Sequence, residues 1–431
     1  RSFPPLRWVM GCAAAGRQAV ISTAGEAQAD VRLGGAASLH ADYRLAERLG
    51  QGSFGVVFAA RRAAGDADEV AIKVIGSGRK ATDQGDQSCG SRCHEVRKKN
   101  GLVENEVAVL RALPASSYVV TFYGYYHEAQ WHYIVMEKCD KSLLMLLLEL
   151  EPLCEEKMKR IFQDMAVGIA TCHAAGVVHR DVKPDNFLAV TTPADASAGF
   201  TVKLCDFGLA SRARSLESAC LAGVFGTTPY MAPEVAAGGR YGAKIDVWSL
   251  GATAYTLLFG RWPYAPPSAK YCDATMQERI VTGSPTPCYR SLPGLPDISS
   301  PCEAWLRALL QRNVSDRPSA GGCLQHRMFL HPWGDAARRP SFRAAVAAAR
   351  DQGVFCHSRL DASGATLEQQ IRDLNSLWHR PPLHEMEQKA SSGRPSSTST
   401  HEGTDCPRSA AMTGDGDGAS RRTVADGILC L

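Results

Sequence analysis

The stretch His179-Arg180-Asp181-Val182-Lys183-Pro184-Asp185-Asn186 is followed farther along the chain by Asp206-Phe207-Gly208. Asp181 can orient an attacking hydroxyl and accept its proton, while Asn186 and Asp206 offer oxygen atoms to a magnesium ion that holds a triphosphate. A single triplet of this kind recurs by chance. Both motifs in this order, flanked by apolar strand-like runs, form a specific signal. The pattern indicates phosphoryl transfer.

A glycine-rich turn is predicted upstream, within Leu49-Gly50-Gln51-Gly52-Ser53-Phe54-Gly55-Val56-Val57-Phe58. Glycines have no Cβ, so they let backbone N–H groups approach phosphate oxygens closely. The spacing G-x-G-x-x-G also occurs in dinucleotide-binding folds, where a helix begins at the third glycine. The residues after Gly55 favour a strand instead, so the sequence predicts two strands joined by a phosphate-binding turn.

The next predicted strand, Val70-Ala71-Ile72-Lys73-Val74-Ile75, carries one lysine among apolar residues. A lysine is costly to bury without a partner, so we expect a carboxylate close to Lys73. A helix is predicted after this strand, because apolar residues recur at helical spacing at Val103, Val107, Leu110 and Leu113. This helix carries Glu104 and Glu106, the two candidates for the partner.

Together these motifs resemble the eukaryotic protein kinase family over about Tyr43 to Trp333. Lys183 and the run Gly226-Thr227-Thr228-Pro229-Tyr230-Met231-Ala232-Pro233-Glu234 resemble its serine/threonine type. The ending His331-Pro332-Trp333 resembles the calcium/calmodulin-dependent kinases and their relatives. The resemblance implies an α+β, two-lobed protein kinase fold and the cofactors ATP and Mg²⁺, with Mn²⁺ as a substitute for magnesium.

The implied lobes are unequal in size and content. A small antiparallel β-sheet lobe with one αC helix would span residues 43–136, and a larger, mainly helical lobe would span residues 140–333. The polar, glycine-rich residues 76–101 are interpreted as a loop insertion in the small lobe. This segment contains Cys89, Cys93 and His94, but a closed zinc site needs four ligands, so free side chains are favoured.

The resemblance also assigns roles to residues. Glu106 begins an E-x-x-x-L pattern like that of the family's αC helix and is favoured over Glu104. The catalytic residues are Asp181, Lys183, Lys73 and Glu106, and the metal-binding residues are Asn186 and Asp206. The ATP-binding residues are Leu49, Gly50, Gly52, Ser53, Phe54, Gly55, Val57, Ala71, Lys73, Met136, Glu137, Cys139 and Leu188. The activation segment and acceptor site involve Phe207, Gly208, Thr227 and Glu234.

Four further residues are assigned structural roles by the resemblance: His179, Arg180, Asp246 and Arg317. Asp246 would fix the backbone of the catalytic loop, and Arg317 would pair with Glu234. Arg180 is expected to pair with a phosphorylated residue of the activation segment. The usual phosphorylation site falls on Gly223, so either the segment is held without modification or Ser215 or Ser218 substitutes.

The predicted function is ATP-dependent phosphorylation of serine and threonine hydroxyls in proteins. The alternative is a pseudokinase that acts as a nucleotide-binding scaffold, although Lys73, Asp181 and Asp206 are all present. The net charge of +4 is too small to indicate nucleic-acid binding. The 15 cysteines are scattered without short repeated spacings, which favours reduced thiols and a cytoplasmic, nuclear or peripheral-membrane location. No run is long enough for a transmembrane helix.

The flanking segments are less specific. Residues 1–42 and 380–431 are predicted to be disordered, and residues 334–379 to form a helical extension. Met10-Gly11-Cys12 would be a candidate lipid anchor if translation began at Met10. The basic segment 338–350 is a candidate calmodulin contact, but its many alanines favour a packing helix.

Overall fold

A computed structural model describes the chain over residues 39–52, 55–63, 69–76, 90–128, 131–191, 199–213, 215–216, 218–265, 272–291, 293–330 and 341–355. Of residues 90–99, it describes the main chain alone. The predicted lipid-anchor segment, residues 334–340 and 356–379 of the predicted helical extension, and the tail 380–431 lie outside the described residues.

The small lobe is an antiparallel sheet of five strands in the order β1-β2-β3-β5-β4. Its strands are β1 (Tyr43–Gly52), β2 (Gly55–Arg62), β3 (Val70–Gly76), β4 (Phe122–Glu128) and β5 (Trp131–Glu137). Helix α1 (Leu39–Asp42) precedes the sheet, and helix α2 (Gly90–Ala112) connects β3 to β4. β3 is rich in β-branched residues and lies in the middle of the sheet, where nearly its whole length is buried. The predicted small lobe is confirmed.

Two boundaries of this lobe differ from the prediction. Helix α2 begins at Gly90, so the second half of the predicted loop 76–101 is helical. Helix α1 lies inside the segment 1–42 that was predicted to be disordered. Leu39 is fully buried, and Asp42 accepts a hydrogen bond from the Tyr126 hydroxyl at 2.8 Å. Long-range contacts of this kind leave no periodic signal in the sequence, which explains the error at α1.

The large lobe is mainly helical, and the predicted two-lobed α+β fold is therefore confirmed. Its helices are α3 (Leu143–Glu149), α4 (Glu155–Ala174), α5 (Pro233–Ala236), α6 (Lys244–Phe259), α7 (Asp273–Thr282), α8 (Ser300–Leu309), α9 (Ala320–Cys323), α10 (Arg327–Leu330) and α11 (Arg343–Asp351). Its short strands are β6 (Lys141–Ser142), β7 (Val177–Val178), β8 (Phe187–Thr191), β9 (Phe200–Leu204) and β10 (Ser211–Arg212). Strands β6, β8 and β9 form one small sheet, and β7 pairs with β10.

Helix α6 is the centre of this lobe. Every residue from Ile245 to Phe259 is buried, because the helix is apolar on all sides and is surrounded by other elements of the lobe. Gly251 lies where α8 crosses, since an added Cβ would come within 2.8 Å of the Leu309 Cβ. The first turn of α6 carries one fully buried carboxylate, Asp246.

A buried ion pair joins α5 to the segment after α8. The Arg317 guanidinium donates to both carboxylate oxygens of Glu234, at 2.7 and 3.1 Å, and to the Lys244 carbonyl at 2.9 Å. It also lies over the Trp248 ring, 5.1 Å from the centroid. The predicted Glu234–Arg317 pair is thus present, and it fixes the start of α5 directly after the activation segment.

Helix α11 packs against α3 and α6 of the same lobe. Phe342 and the apolar side of α11 are buried, and the Phe342 N–H donates to the Leu153 carbonyl at 2.9 Å. Arg343 donates to the Leu148 carbonyl at 2.6 Å. The apolar face of this segment is therefore covered by the lobe itself, as expected of a packing helix. Among the helices in the described ranges, none has the length and apolar character needed to cross a bilayer.

Gly260 permits this close packing. It ends α6 at a φ of +65°, and an added Cβ would lie 2.9 Å from both the Ala345 carbonyl oxygen and the Ala348 Cβ of α11. Gly238 has a similar φ of +71° but nothing within 4 Å of its added Cβ.

We predict that Gly260→Ala lowers the free energy of unfolding more than Gly238→Ala does. Both substitutions incur the cost of alanine at positive φ, about 1–2 kcal/mol. Gly260→Ala adds an overpacking cost of about 1–3 kcal/mol, because α11 must move away. Urea unfolding followed by circular dichroism measures both variants. Equal losses would show that α11 does not press on the end of α6.

Candidate active site

Lys73 links three parts of the molecule. Its ammonium group lies 2.7 Å from Glu106 Oε1 on α2 and 2.9 Å from Asp206 Oδ1, which follows β9. The side chains of Lys73 and Glu106 are almost fully buried, and that of Asp206 is 28% exposed. The strand lysine, the helix glutamate and the carboxylate of the second sequence motif therefore meet at one point.

The charges in this cluster stabilise one another. Burial alone would lower the pKa of Lys73, but the carboxylates of Asp206 and Glu106 outweigh it and raise the pKa. Burial would likewise raise the pKa of Asp206, but the Lys73 ammonium lowers it to about 2. Asp206 is therefore ionised at neutral pH, as a metal-binding carboxylate must be. Burial raises the pKa of Glu106.

The buried Asp246 carboxylate holds the catalytic loop. It accepts hydrogen bonds from the backbone N–H groups of His179 at 2.8 Å and Arg180 at 2.9 Å, and from His173 Nε2 at 2.9 Å. Burial would raise the pKa of Asp246, but the hydrogen bonds and charges of His173 and His179 together outweigh it and lower the pKa. Arg180 has a φ of +67°, a strained conformation that these bonds maintain. His173 was not singled out in the sequence, because a lone histidine at a helix end carries no specific signal.

His179 has a supporting place in the core. The Asp181 N–H donates to His179 Nδ1 at 3.3 Å, so the ring proton lies on Nε2, which donates to the Cys205 carbonyl at 3.0 Å. The ring also contacts the buried Phe207 side chain edge to face, with centroids 5.0 Å apart. The histidine thus connects the catalytic loop to the Asp206-Phe207-Gly208 motif.

A second polar cluster surrounds Asp181. Its carboxylate accepts from the Thr227 hydroxyl at 2.7 Å and from Asn186 Nδ2 at 3.1 Å, and it lies 3.0 Å from Lys183 Nζ. Lys183 also donates to the Thr227 hydroxyl at 2.9 Å. Burial would lower the pKa of Lys183, but Asp181 raises it. The four predicted residues Asp181, Lys183, Asn186 and Thr227 are brought together.

The chain passes closely behind Thr227. Gly226 has a φ of +107°, and an added Cβ would lie 2.5 Å from the Arg180 carbonyl oxygen. Glycine is therefore required where the activation segment meets the catalytic loop. This contact positions Thr227 beside Asp181.

The predicted nucleotide-binding residues in the described ranges lie on strands β1, β2, β3, β5 and β8 and on the segment that joins β5 to β6. In the sheet, Val57 is paired with Lys73, and Ala71 is paired with Met136. Leu49 on β1 is 43% exposed, and Leu188 lies on β8 of the large lobe. The turn residues Gly50 and Gly52 end β1, Gly55 begins β2, and Ser53 and Phe54 lie outside the described residues.

The predicted hinge is held by ion pairs that the sequence analysis did not identify. Glu137 lies 2.7 Å from Lys203 Nζ and accepts from the Thr121 hydroxyl at 2.9 Å. Lys138 lies 2.7 Å from Glu69. Burial raises the pKa of the Cys139 thiol to about 12, so this cysteine is protonated at neutral pH. Charged side chains far apart in the sequence give no local sign of these pairs.

The Arg180 side chain contacts the residue that directly precedes Gly226. Its guanidinium lies over the Phe225 ring, 4.3 Å from the centroid, and Nε donates to the Leu209 carbonyl at 2.6 Å. Phe225 carried no expected role, although it directly precedes the Gly226-Thr227 motif.

The two clusters provide donors that fit a nucleotide triphosphate with a divalent cation. The Asp206 carboxylate and the Asn186 amide oxygen are hard oxygen ligands of the type that Mg²⁺ prefers. The Asn186 amide nitrogen is engaged by the Asp181 carbonyl at 2.7 Å, which orients the amide so that its oxygen is the group left for a metal. Lys73 and Lys183 supply the positive charge that phosphate oxygens need.

Residues 43–329 match the family described as Protein kinase domain. The chain is 29% identical over 68% of its length to serine/threonine-protein kinase PEPKR2 of Arabidopsis thaliana, of which it covers 53%. It is 28% identical over 69% of its length to the calcium and calcium/calmodulin-dependent serine/threonine-protein kinase of Lotus japonicus, of which it covers 57%. It is 31% identical over 70% of its length to CDPK-related kinase 5 of Arabidopsis thaliana, of which it covers 46%.

The chain spans about half the length of these relatives. The family match, in contrast, runs from the first residue of β1 into α10 and includes both polar clusters. The predicted resemblance is therefore confirmed, and the chain belongs to the protein kinase domain family.

Proposed function

We propose that this protein transfers the γ-phosphate of ATP to serine and threonine hydroxyls of other proteins. The observation that carries the proposal is the meeting of Lys73, Glu106 and Asp206 beside the cluster of Asp181, Lys183 and Thr227. The named serine/threonine kinases among the relatives support the same activity.

Each cluster has a distinct task in the proposed reaction. Lys73 holds the α- and β-phosphates, and Asp206 and Asn186 bind Mg²⁺ or, as a substitute, Mn²⁺. When bound, the metal neutralises charge on the phosphate oxygens. Asp181 accepts a hydrogen bond from the acceptor hydroxyl, orients it toward the γ-phosphorus and takes up its proton as the new O–P bond forms and the bond to the leaving ADP breaks. Lys183 lies beside Asp181 and stabilises negative charge that develops on the transferred group.

The acceptor side of the site favours small aliphatic hydroxyls. Thr227 bridges Asp181 and Lys183 and thereby shapes the space in front of Asp181. The presence of both Lys183 and Thr227 resembles the serine/threonine type of the family and supports serine and threonine as acceptors. We also propose a cytoplasmic location, since the nine cysteines in the described residues are all free thiols, which is typical of a reducing compartment.

Asp206→Asn is predicted to reduce phosphate transfer to a generic protein substrate by at least about 100-fold, because the metal loses a charged ligand. Lys73 keeps Glu106 as a partner, so thermal unfolding should still show one cooperative transition. The control is Asp297→Asn, which removes the same charge at an exposed position. A reduction of less than about tenfold in Asp206→Asn would contradict the assigned role. A wild-type protein that transfers no phosphate with Mg-ATP would favour the nucleotide-binding scaffold.

Thr227→Val is predicted to lower kcat by about tenfold to a hundredfold, because Asp181 and Lys183 lose the hydroxyl that aligns them. The KM for ATP should stay within about twofold, since Thr227 lies on the acceptor side. Poorer alignment of Asp181 lowers the rate of the chemical step and leaves nucleotide binding unchanged. Steady-state kinetics with a peptide substrate measure both constants. Thr227→Ser should restore most of the activity, and Thr228→Val is the neighbouring control. A change confined to the KM for ATP would contradict this assignment.

A further inference from the structure

Arg180 and Phe225 form a contact that the proposed reaction does not use directly. The guanidinium lies 4.3 Å from the centroid of the ring, within the range of a cation–π interaction. Arg180 Nε is occupied by the Leu209 carbonyl at 2.6 Å. This arginine is the residue for which the sequence analysis expected a phosphorylated partner.

The expected phosphorylation position is filled by the ring itself. Gly223 has a φ of +95°, and an added Cβ would lie 2.5 Å from Phe225 Cε2. A side chain at position 223 would therefore displace the ring from Arg180. The glycine and the phenylalanine fit each other, so the absence of a hydroxyl at position 223 is explained by packing.

The contact lies next to the acceptor site along the chain. Phe225 precedes Gly226, whose backbone is pressed against the Arg180 carbonyl, and Gly226 precedes Thr227, which donates to Asp181 at 2.7 Å. A shift of the ring would move Thr227 relative to Asp181. Displacements of about 1 Å at such a position are large enough to reduce catalysis markedly.

The residues before Gly223 are held separately by the large lobe. Arg240 donates to the Ala219 and Cys220 carbonyls at 3.0 and 3.3 Å, and Leu221 is paired with Tyr241 in an isolated β-bridge. The ring stack thus fastens the residues directly before Gly226 to the catalytic loop, in addition to the Thr227 hydroxyl, which bonds Asp181 and Lys183. Phe225 is 37% exposed, so its apolar surface is only partly buried. The position of the ring therefore depends more on the contact with Arg180 than on burial.

We propose that Phe225 is a positioning residue that takes the place of a phosphate group, so that the activation segment is held in its working geometry without phosphorylation. The π face of the ring provides the negative electrostatic potential that a phosphate would otherwise provide to Arg180. This inference rests on the proposed function, because it concerns the acceptor site of that reaction. It predicts that neither Ser215 nor Ser218 needs to be modified.

The first test uses the full chain after treatment with a broad-specificity phosphatase. Phe225→Leu keeps an apolar side chain but removes the π face, so kcat should fall by between about twofold and thirtyfold, the range of a cation–π contact. The KM for ATP should not change. Phe225→Trp should keep most of the activity, and Val224→Ala, at the exposed neighbouring residue, should stay within about twofold of wild type. Phe225→Leu and Arg180→Gln should be non-additive in a double-mutant cycle.

A second test distinguishes an activation segment held by the Phe225–Arg180 contact from one held by phosphorylation of Ser215 or Ser218. The dephosphorylated wild type and Ser215→Ala/Ser218→Ala should both be fully active. Loss of activity on phosphatase treatment, with a phosphate located by mass spectrometry on Ser215 or Ser218, would overturn the proposal. So would a Phe225→Leu variant with wild-type kcat.

A readout that is independent of activity distinguishes this inference from the proposed function. Deuterium exchange of the amides at residues 222–226 should accelerate in Phe225→Leu and Arg180→Gln but not in Phe225→Trp. If wild type transfers no phosphate yet shows this pattern, the proposed function fails and the ring contact stands. If exchange is equal in all variants, the ring does not hold the segment.

Discussion

The arrangement of the active site depends on the burial of one cation, Lys73, between two carboxylates. An unpaired ammonium in the middle of the sheet would be strongly destabilising, so Lys73 needs a carboxylate partner, and both Glu106 and Asp206 lie within ion-pair distance of it. Because these residues belong to β3, to α2 and to the segment after β9, satisfying the charge also fixes the small lobe, its helix and the large lobe against one another. The ion pairs that make burial of Lys73 possible therefore also set the geometry of the active site.

Hydrogen bonds to buried side chains hold the backbone of the catalytic loop in place. In the described residues, Arg180 and Asp206 are the non-glycine residues with positive φ, and both lie in the site. Such backbone conformations cost about 1–3 kcal/mol each and persist where surrounding contacts maintain them. Asp246 maintains the conformation of Arg180 by accepting hydrogen bonds from the His179 and Arg180 N–H groups. Lys73 donates a hydrogen bond to the side chain of Asp206. His179 joins the two segments by contacting both Cys205 and Phe207.

Sequence reasoning succeeded where the signal is local or where chemistry narrows the choice. The run of β3 predicted a buried lysine with a carboxylate partner on the next helix, and the resemblance of the E-x-x-x-L pattern to the family's αC helix favoured Glu106 over Glu104. It was wrong at α1 and at the start of α2. It also did not identify the contacts of Asp42 and Glu137, whose partners lie far away along the chain. The ranges outside the described residues leave the predicted lipid anchor and the tail as predictions.

The sequence by itself determined the fold class, the order of the motifs and the identity of the polar groups, because strand and helix periodicity and motif spacing are written in consecutive residues. The tertiary structure alone decided which groups meet. It placed Glu137 against Lys203, buried the apolar side of α11 on its own lobe, and set Phe225 over Arg180 where a phosphate was expected. Contacts of this kind depend on distances between segments that packing brings together, and no local pattern encodes those distances.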